Sequence, residues 1–132
     1  MDFSGIVAKM SQEVKKDLKR IVLPETEDPR VLKAAAIVAK EEFAKIVLIG
    51  KKEEIEKVCK DEKIELPFEK VEIIDNLTSS KKEVYDELLY ELRKKKGITL
   101  EEAKKINEDK IYFATMMVKA GDADGLVSGA IH

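Results

Sequence analysis

The sequence predicts an α/β fold: a mainly parallel sheet covered by helices on both faces, a three-layer α/β/α arrangement. Three observations carry this. Ile21-Val22-Leu23 is a short continuous apolar run, the pattern of a strand buried on both faces, and Lys45 to Ile49 and Val71 to Ile74 are read as the second and third strands. Each is closed by turn chemistry, at Pro24, Gly50 and Asp75-Asn76. Stretches with apolar residues at steps of three and four separate them, and strands alternating with helices at this spacing make a parallel sheet.

The elements follow in order. Phe3, Val7, Met10, Val14 and Leu18 predict a first amphipathic helix, capped by Asp2 or Ser4. After the first strand, Pro24 to Asp28 reads as a loop, with Asp28 as cap and Pro29 in the first turn of the next helix. That helix has a stripe of Leu32, Ala36, Ala39 and Phe43, and its many alanines permit close approach to a sheet. The second strand ends at Gly50, and a helix from about Lys52 to Lys60 follows. Leu66-Pro67-Phe68 connects to the third strand. Ser79 or Ser80 opens a further helix, with Val84, Leu88 and Leu92 stacked on one face and Gly97 as its end. Thr99 and Glu102 have the spacing of a capping box for a short helix.

The next helix is apolar nearly all round. Ile111, Ala114, Thr115 and Val118 form one stripe and Phe113, Met117 and Ala120 another, which predicts a core helix. Gly121 is its stop, Asp122 to Gly125 a turn, and Leu126-Val127-Ser128 a short buried strand. Ser128-Gly129 then falls at a strand's carboxyl end, where open α/β sheets place their ligands.

At 132 residues the chain is long enough for one domain with a real core, and neither a linker nor an internal repeat divides it. Hydrophobic residues make up 44%, which argues against disorder, and a net charge of −2 argues against a nucleic-acid partner. A single cysteine excludes an intrachain disulfide framework; Cys59, beside Ile55 and Val58, reads as a small core residue. No apolar run approaches a membrane span and no signal-peptide pattern opens the chain, so the expected location is the cytoplasm.

There is no dinucleotide fingerprint, Walker loop or metal-ligand cluster, and the sole histidine, His132, cannot make a metal site alone. Ser128, Gly129 and His132 form the first candidate site: a loop for a ligand, or a plain strand-to-helix turn with His132 as a cap. Arg93 is the second candidate, set against the alternative of a solvated basic helix end that complements the helix dipole. Glu25, Asp28 and Arg30 stand after the first strand, where capping and surface charge account for them and a place at the border of a cleft is the alternative. Asp75 reads as a turn residue rather than a phospho-acceptor.

The run MMVKAGDADGLVSGAIH, together with IVLPETEDPRVLKAA, KIVLIG and ELRKKKGITLEEA in that order, resembles the phosphate acetyl/butyryltransferase family. The matching segments cover most of the chain, and family members are well over twice its length. The resemblance implies an isocitrate/isopropylmalate dehydrogenase-like sheet, here incomplete, with residues 1–132 as part of the amino-terminal domain of a two-domain acyltransferase that dimerises when intact. It implies reversible transfer of an acetyl group between coenzyme A and inorganic phosphate, giving acetyl phosphate, with no bound cofactor. Transfer of butyryl, and a non-catalytic acetyl-CoA-binding module, are the alternatives. It further implies that Ser128, Gly129 and His132 line the cleft where coenzyme A and phosphate meet, and that Arg93, from its LRKxKG segment, binds coenzyme A through a guanidinium that forks onto phosphate oxygens. The family's catalytic Ser-Arg pair and aspartate match nothing in this sequence, so these residues alone are expected to be inactive.

Overall fold

The computed structural model describes residues 18–128. The predicted first helix, apart from Leu18, and the site residues Gly129 and His132 lie outside that range. The elements are β1 (Arg20–Leu23), α1 (Pro29–Lys40), β2 (Lys45–Ile49), α2 (Lys52–Asp61), β3 (Val71–Ile74), α3 (Lys82–Arg93), α4 (Leu100–Ile106), α5 (Lys110–Lys119) and β4 (Gly125–Leu126). The strands form one parallel sheet in the order β3-β2-β1-β4. Going from β1 to β2 to β3 the chain moves one way across the sheet; β4 then returns to the other side of β1.

This order explains why the apolar run of β1 lacks polar alternation, whereas β3, at the sheet edge, carries the exposed Glu72. Ile21 and Leu23 face one core with Val31, Leu32, Ala35, Ile55 and Cys59 of α1 and α2. Val22 faces a second core with Tyr85, Leu89, Ala103, Phe113 and Met117 of α3, α4 and α5. Helices therefore cover both faces, and the three-layer expectation holds. Ala34, Ala35, Ala36 and Ala39 are all buried, so α1 lies close against the sheet. The local stops behave as their chemistry dictates. Asp28 caps α1 by accepting from Arg30 N at 2.9 Å, with Pro29 at the start of the helix. Thr99 and Glu102 complete both halves of the capping box on α4. Gly121 (φ 82°) takes the left-handed turn after α5.

Four expectations are corrected. α5 is not covered all round: Phe113, Ala114, Met116 and Met117 are buried, but Ile111 is 39% and Tyr112 37% exposed, so these two residues of the first turn face outward while Ala114, from the Ile111 stripe, lies in the core. On α3 the stacked Val84 and Leu92 are more than half exposed, and the buried face is Tyr85, Asp86 and Leu89. There a ring-on-ring contact decides: Tyr85 meets Phe113 edge-on at 5.0 Å between centroids. α1 stops at Lys40, so Phe43 lies in the following turn, 38% exposed. β4 pairs through Gly125 and Leu126 rather than Leu126 to Ser128; Val127 N still donates to Val22 O at 3.1 Å, and there the pairing ends.

The segment 75–81 sets the direction of α3. Asp75 closes β3, while Lys81 Nζ comes within 3.9 Å of Asp122, and the Tyr85 hydroxyl donates to the same carboxylate. Asp122 precedes Asp124, whose N–H donates to the O of Arg20 at the start of β1 at 2.8 Å. The chain thus drops back to the amino end of the sheet, and α3 climbs from there until Arg93 lies against Tyr112, with 5.7 Å between guanidinium carbon and ring centre.

Burial, and then the Asp122 carboxylate, push the Tyr85 hydroxyl well above its usual pKa. Because the folded value is raised, this group's stabilisation is complete below the unfolded value of about 10 and fades as pH rises through the folded one. A Tyr85→Phe variant should be less stable by about 1 kcal/mol at neutral pH and should lose less of its denaturation midpoint between pH 9 and 11 than the parent, about 9 and 11 bracketing the ordinary tyrosine value. Denaturant unfolding at several pH values measures both.

Candidate functional site

The point where the strand order reverses lies between β1 and β4, and in open α/β sheets the loops leaving those carboxyl ends bound the ligand crevice. In this chain those loops are Pro24 to Asp28 and the segment entering Ser128. Three polar side chains are buried there: Glu25 at 6%, Thr26 at 3% and Ser128 at 5% exposure. The Ser128 hydroxyl donates to Glu25 Oε1, joining the two loops directly.

Thr26 ties the site to the rest of the sheet. Its hydroxyl donates to the O of Ile49, at the end of β2, at 2.8 Å. The same Oγ1 accepts from Lys110 Nζ at 3.2 Å, and that ammonium also reaches Glu27 at 2.9 Å. Lys110 is the first residue of α5, set by Asp109, whose carboxylate accepts from Ile111 N at 2.8 Å. Gly50 completes the floor. A Cβ there would stand 2.7 Å from Thr26 Oγ1, and its φ of 149° strains any side chain.

The turn that presents Lys110 is itself clamped. Asn76, 3% exposed, donates its amide to the O of Asn107 at 3.3 Å and of Glu108 at 2.9 Å. Asn107 in turn donates to the buried Asp86 at 3.1 Å, and Lys82 pairs with Asp86 at 2.8 Å. A hollow of about 340 Å³ opens beside the site, lined by Pro24, Glu25, Glu27, Glu108, Asp109 and Lys110 among others. Lys110 is outnumbered there by carboxylates, so a polyanion needs cations from elsewhere on this rim. A larger hollow of about 460 Å³ between Arg20, Asp75 and Tyr85 lies under the segment 75–81, at the amino end of β1 and away from the carboxyl ends of β1 and β4.

Of the predicted site residues, the structure brings Ser128 and Glu25 together. Arg93 is exposed and stacked on Tyr112, two residues from Lys110, and no carboxylate pairs with it among the described residues. Asp28 and Arg30 pair with each other at 2.8 Å, and that guanidinium holds the Asp28 carboxyl below its ordinary range. Asp75 accepts from Leu77 N at 2.9 Å and pairs with Lys51 at 3.5 Å, a turn residue as expected. Cys59 is buried, and burial first, then Glu56, pushes its thiol up, away from the reactive thiolate. Thr26, Lys110 and Asn76 were not foreseen from sequence. Nothing in the run around each one distinguishes a threonine, lysine or asparagine of this kind from an ordinary loop or helix-end residue. Among the described residues no acid, histidine or cysteine cluster could hold a metal, and no helix is long and apolar enough to cross a membrane.

Comparison with known proteins gives consistent matches. The family model described as Phosphate acetyl/butaryl transferase matches residues 5–132. The chain is 52% identical over 128 residues to the phosphate acetyltransferase of Thermoanaerobacterium thermosaccharolyticum, covering 97% of this chain and 38% of that protein. It is 47% identical over 128 residues to that of Acetivibrio thermocellus, covering 97% and 37%. Among solved structures it resembles the EutD phosphotransacetylase from Staphylococcus aureus, with a TM-score of 0.80 and 30% identity over all of this chain and 39% of that one. A phosphotransacetylase from Streptococcus pyogenes matches with the same TM-score, 32% identity and the same coverage. The chain therefore spans well under half the length of the relatives it matches.

Replacing Thr26 by Val should leave the Ile49 carbonyl without its donor and lower stability by about 1–2 kcal/mol, whereas Thr26→Ser should keep most of it. Thermal unfolding of the two variants checks this.

Proposed function

The chain belongs to the phosphate acetyl/butaryl transferase family, and from that premise we propose that, within a protein of its relatives' length, it contributes one wall of a site that moves an acetyl group between coenzyme A and inorganic phosphate. The observation that carries the reading is the meeting of the two loops at the β1–β4 switch point, with Ser128 buried against Glu25. The acetyl group is preferred to butyryl because the relatives reported above are named phosphate acetyltransferases.

In this reaction a phosphate oxygen attacks the thioester carbonyl carbon, the carbon–sulfur bond breaks, and the leaving sulfur takes up a proton. Acetyl phosphate and free coenzyme A result, and the steps reverse. Two polyanions must be brought together, so cations and neutral donors have to offset their repulsion. Arg93 suits the coenzyme A side: its guanidinium presents several donors to phosphate oxygens and has no carboxylate to give up among the described residues. The Tyr112 ring beneath it holds the plane without neutralising the charge. The loop that begins at Ser128, including Gly129 and His132, borders the substrates. The proposal extends to a homodimer working in the cytoplasm, with coenzyme A as substrate rather than bound cofactor.

The test is thiol release from acetyl-CoA by the full-length protein. Release that requires phosphate supports the reading; release without it, or none, overturns it. Arg93→Ala should raise the KM for acetyl-CoA roughly tenfold with kcat little changed, and Arg93→Lys should fall between, since a lysine contacts a phosphate at a point rather than through a fork.

A further inference from the structure

Ser128 and Glu25 are 103 residues apart in sequence and both lie buried at the switch point. A serine hydroxyl has one proton and two lone pairs, and a carboxylate only accepts. The hydroxyl proton is directed at Glu25 Oε1. With its proton engaged, Ser128 Oγ has only lone pairs left for a substrate. An oxygen in that state repels a phosphoryl oxyanion and takes a hydrogen-bond donor.

We infer that Glu25 is a positioning residue that turns Ser128 into an acceptor, so that Ser128 reads a donor group on the substrate. Two donors fit that chemistry: an amide N–H of coenzyme A's pantetheine arm, and the P–OH of hydrogen phosphate. The inference rests on the proposed reading that the loop beginning at Ser128 borders the substrates, and goes beyond it by naming Glu25 and fixing the polarity of the contact. Glu25 is well placed for the role. It leaves β1 directly after Pro24, its own backbone O accepts from Asp28 N at 3.1 Å, and the neighbouring Thr26 is anchored to β2. The carboxylate therefore sits on a held stretch of backbone and not on a free loop.

The experiment uses the full-length protein, with kcat and both KM values measured for Ser128→Ala, Glu25→Ala, Glu25→Gln and the Glu25→Ala/Ser128→Ala double variant. Each single alanine variant should raise the KM of the same one substrate by roughly tenfold with kcat within about threefold, the loss of one buried hydrogen bond. The double variant should be no worse than either single, because both remove the same contact. Glu25→Gln keeps an acceptor oxygen and should return that KM to within about threefold of the parent. A change in the acetyl-CoA KM identifies the amide donor; a change in the phosphate KM identifies P–OH. Effects that multiply in the double variant, or two KM values unmoved by Ser128→Ala, overturn the inference. Should Glu25→Ala fail to fold, as its melting curve would tell, Glu25→Asp replaces it: the shortened carboxylate withdraws from Ser128 and should raise the same KM, and an unchanged value overturns the inference. A parent protein that turns over no acetyl-CoA overturns the family reading itself, whereas an active parent with multiplying effects overturns this inference alone.

Discussion

The central position of β1 is the constraint on which the rest of the structure depends. It pairs with β2 along Arg20 to Leu23 and with β4 through Ile21 and Val22. Its alternate side chains fill both cores. A one-residue slip would exchange the faces and point each of these residues at the wrong helices. The same register fixes where Pro24, Glu25 and Thr26 emerge, and so where the site forms. The short pairing of β4 follows: once Val127 N has bonded to Val22 O, the chain is free to turn Ser128 toward Glu25.

A second layer of organisation is polar. The Asn76 amide, the buried Asp86 and the Lys82 ammonium hold α3 against the turn between α4 and α5. A buried carboxylate is tolerated only when paired and hydrogen-bonded, and Asp86 has both kinds of partner. The consequence reaches the site, because that turn delivers Asp109 as a cap and Lys110 as the cation beside Thr26. The fall of the segment 75–81 to the amino end of the sheet has a similar consequence, since it sends α3 back upward and brings Arg93 to the first turn of α5.

Where local chemistry is self-contained, the structure repeats what the residues announce. Pro29 and Asp28 start α1, Thr99 and Glu102 box α4, and Gly121 ends α5, because each motif satisfies backbone groups within a few residues of itself. The two central strands were legible for a related reason: β1 and β2 are covered on both faces and apolar almost throughout, while the edge strand β3 carries the exposed Glu72. Helix faces were not legible in the same way. Val84, Leu88 and Leu92 make a regular stripe, yet α3 buries Tyr85 and Leu89, because the ring of Phe113 on another helix decides which side packs. The apolar girth of α5 likewise overstated its burial, with Ile111 and Tyr112 left outward.

The sequence by itself determined the α/β class, the order of the elements, the caps and stops, and Ser128 and Arg93 as residues of interest, since these follow from short-range periodicity, backbone chemistry and resemblance along the chain. Only the tertiary structure decided the strand order, the partner of Ser128 and the roles of Thr26, Lys110 and Asn76. Those depend on contacts between residues tens of positions apart, such as Glu25 with Ser128 and Thr26 with Lys110. A side chain's chemistry there is set by what the sheet brings beside it, which no local run of residues encodes.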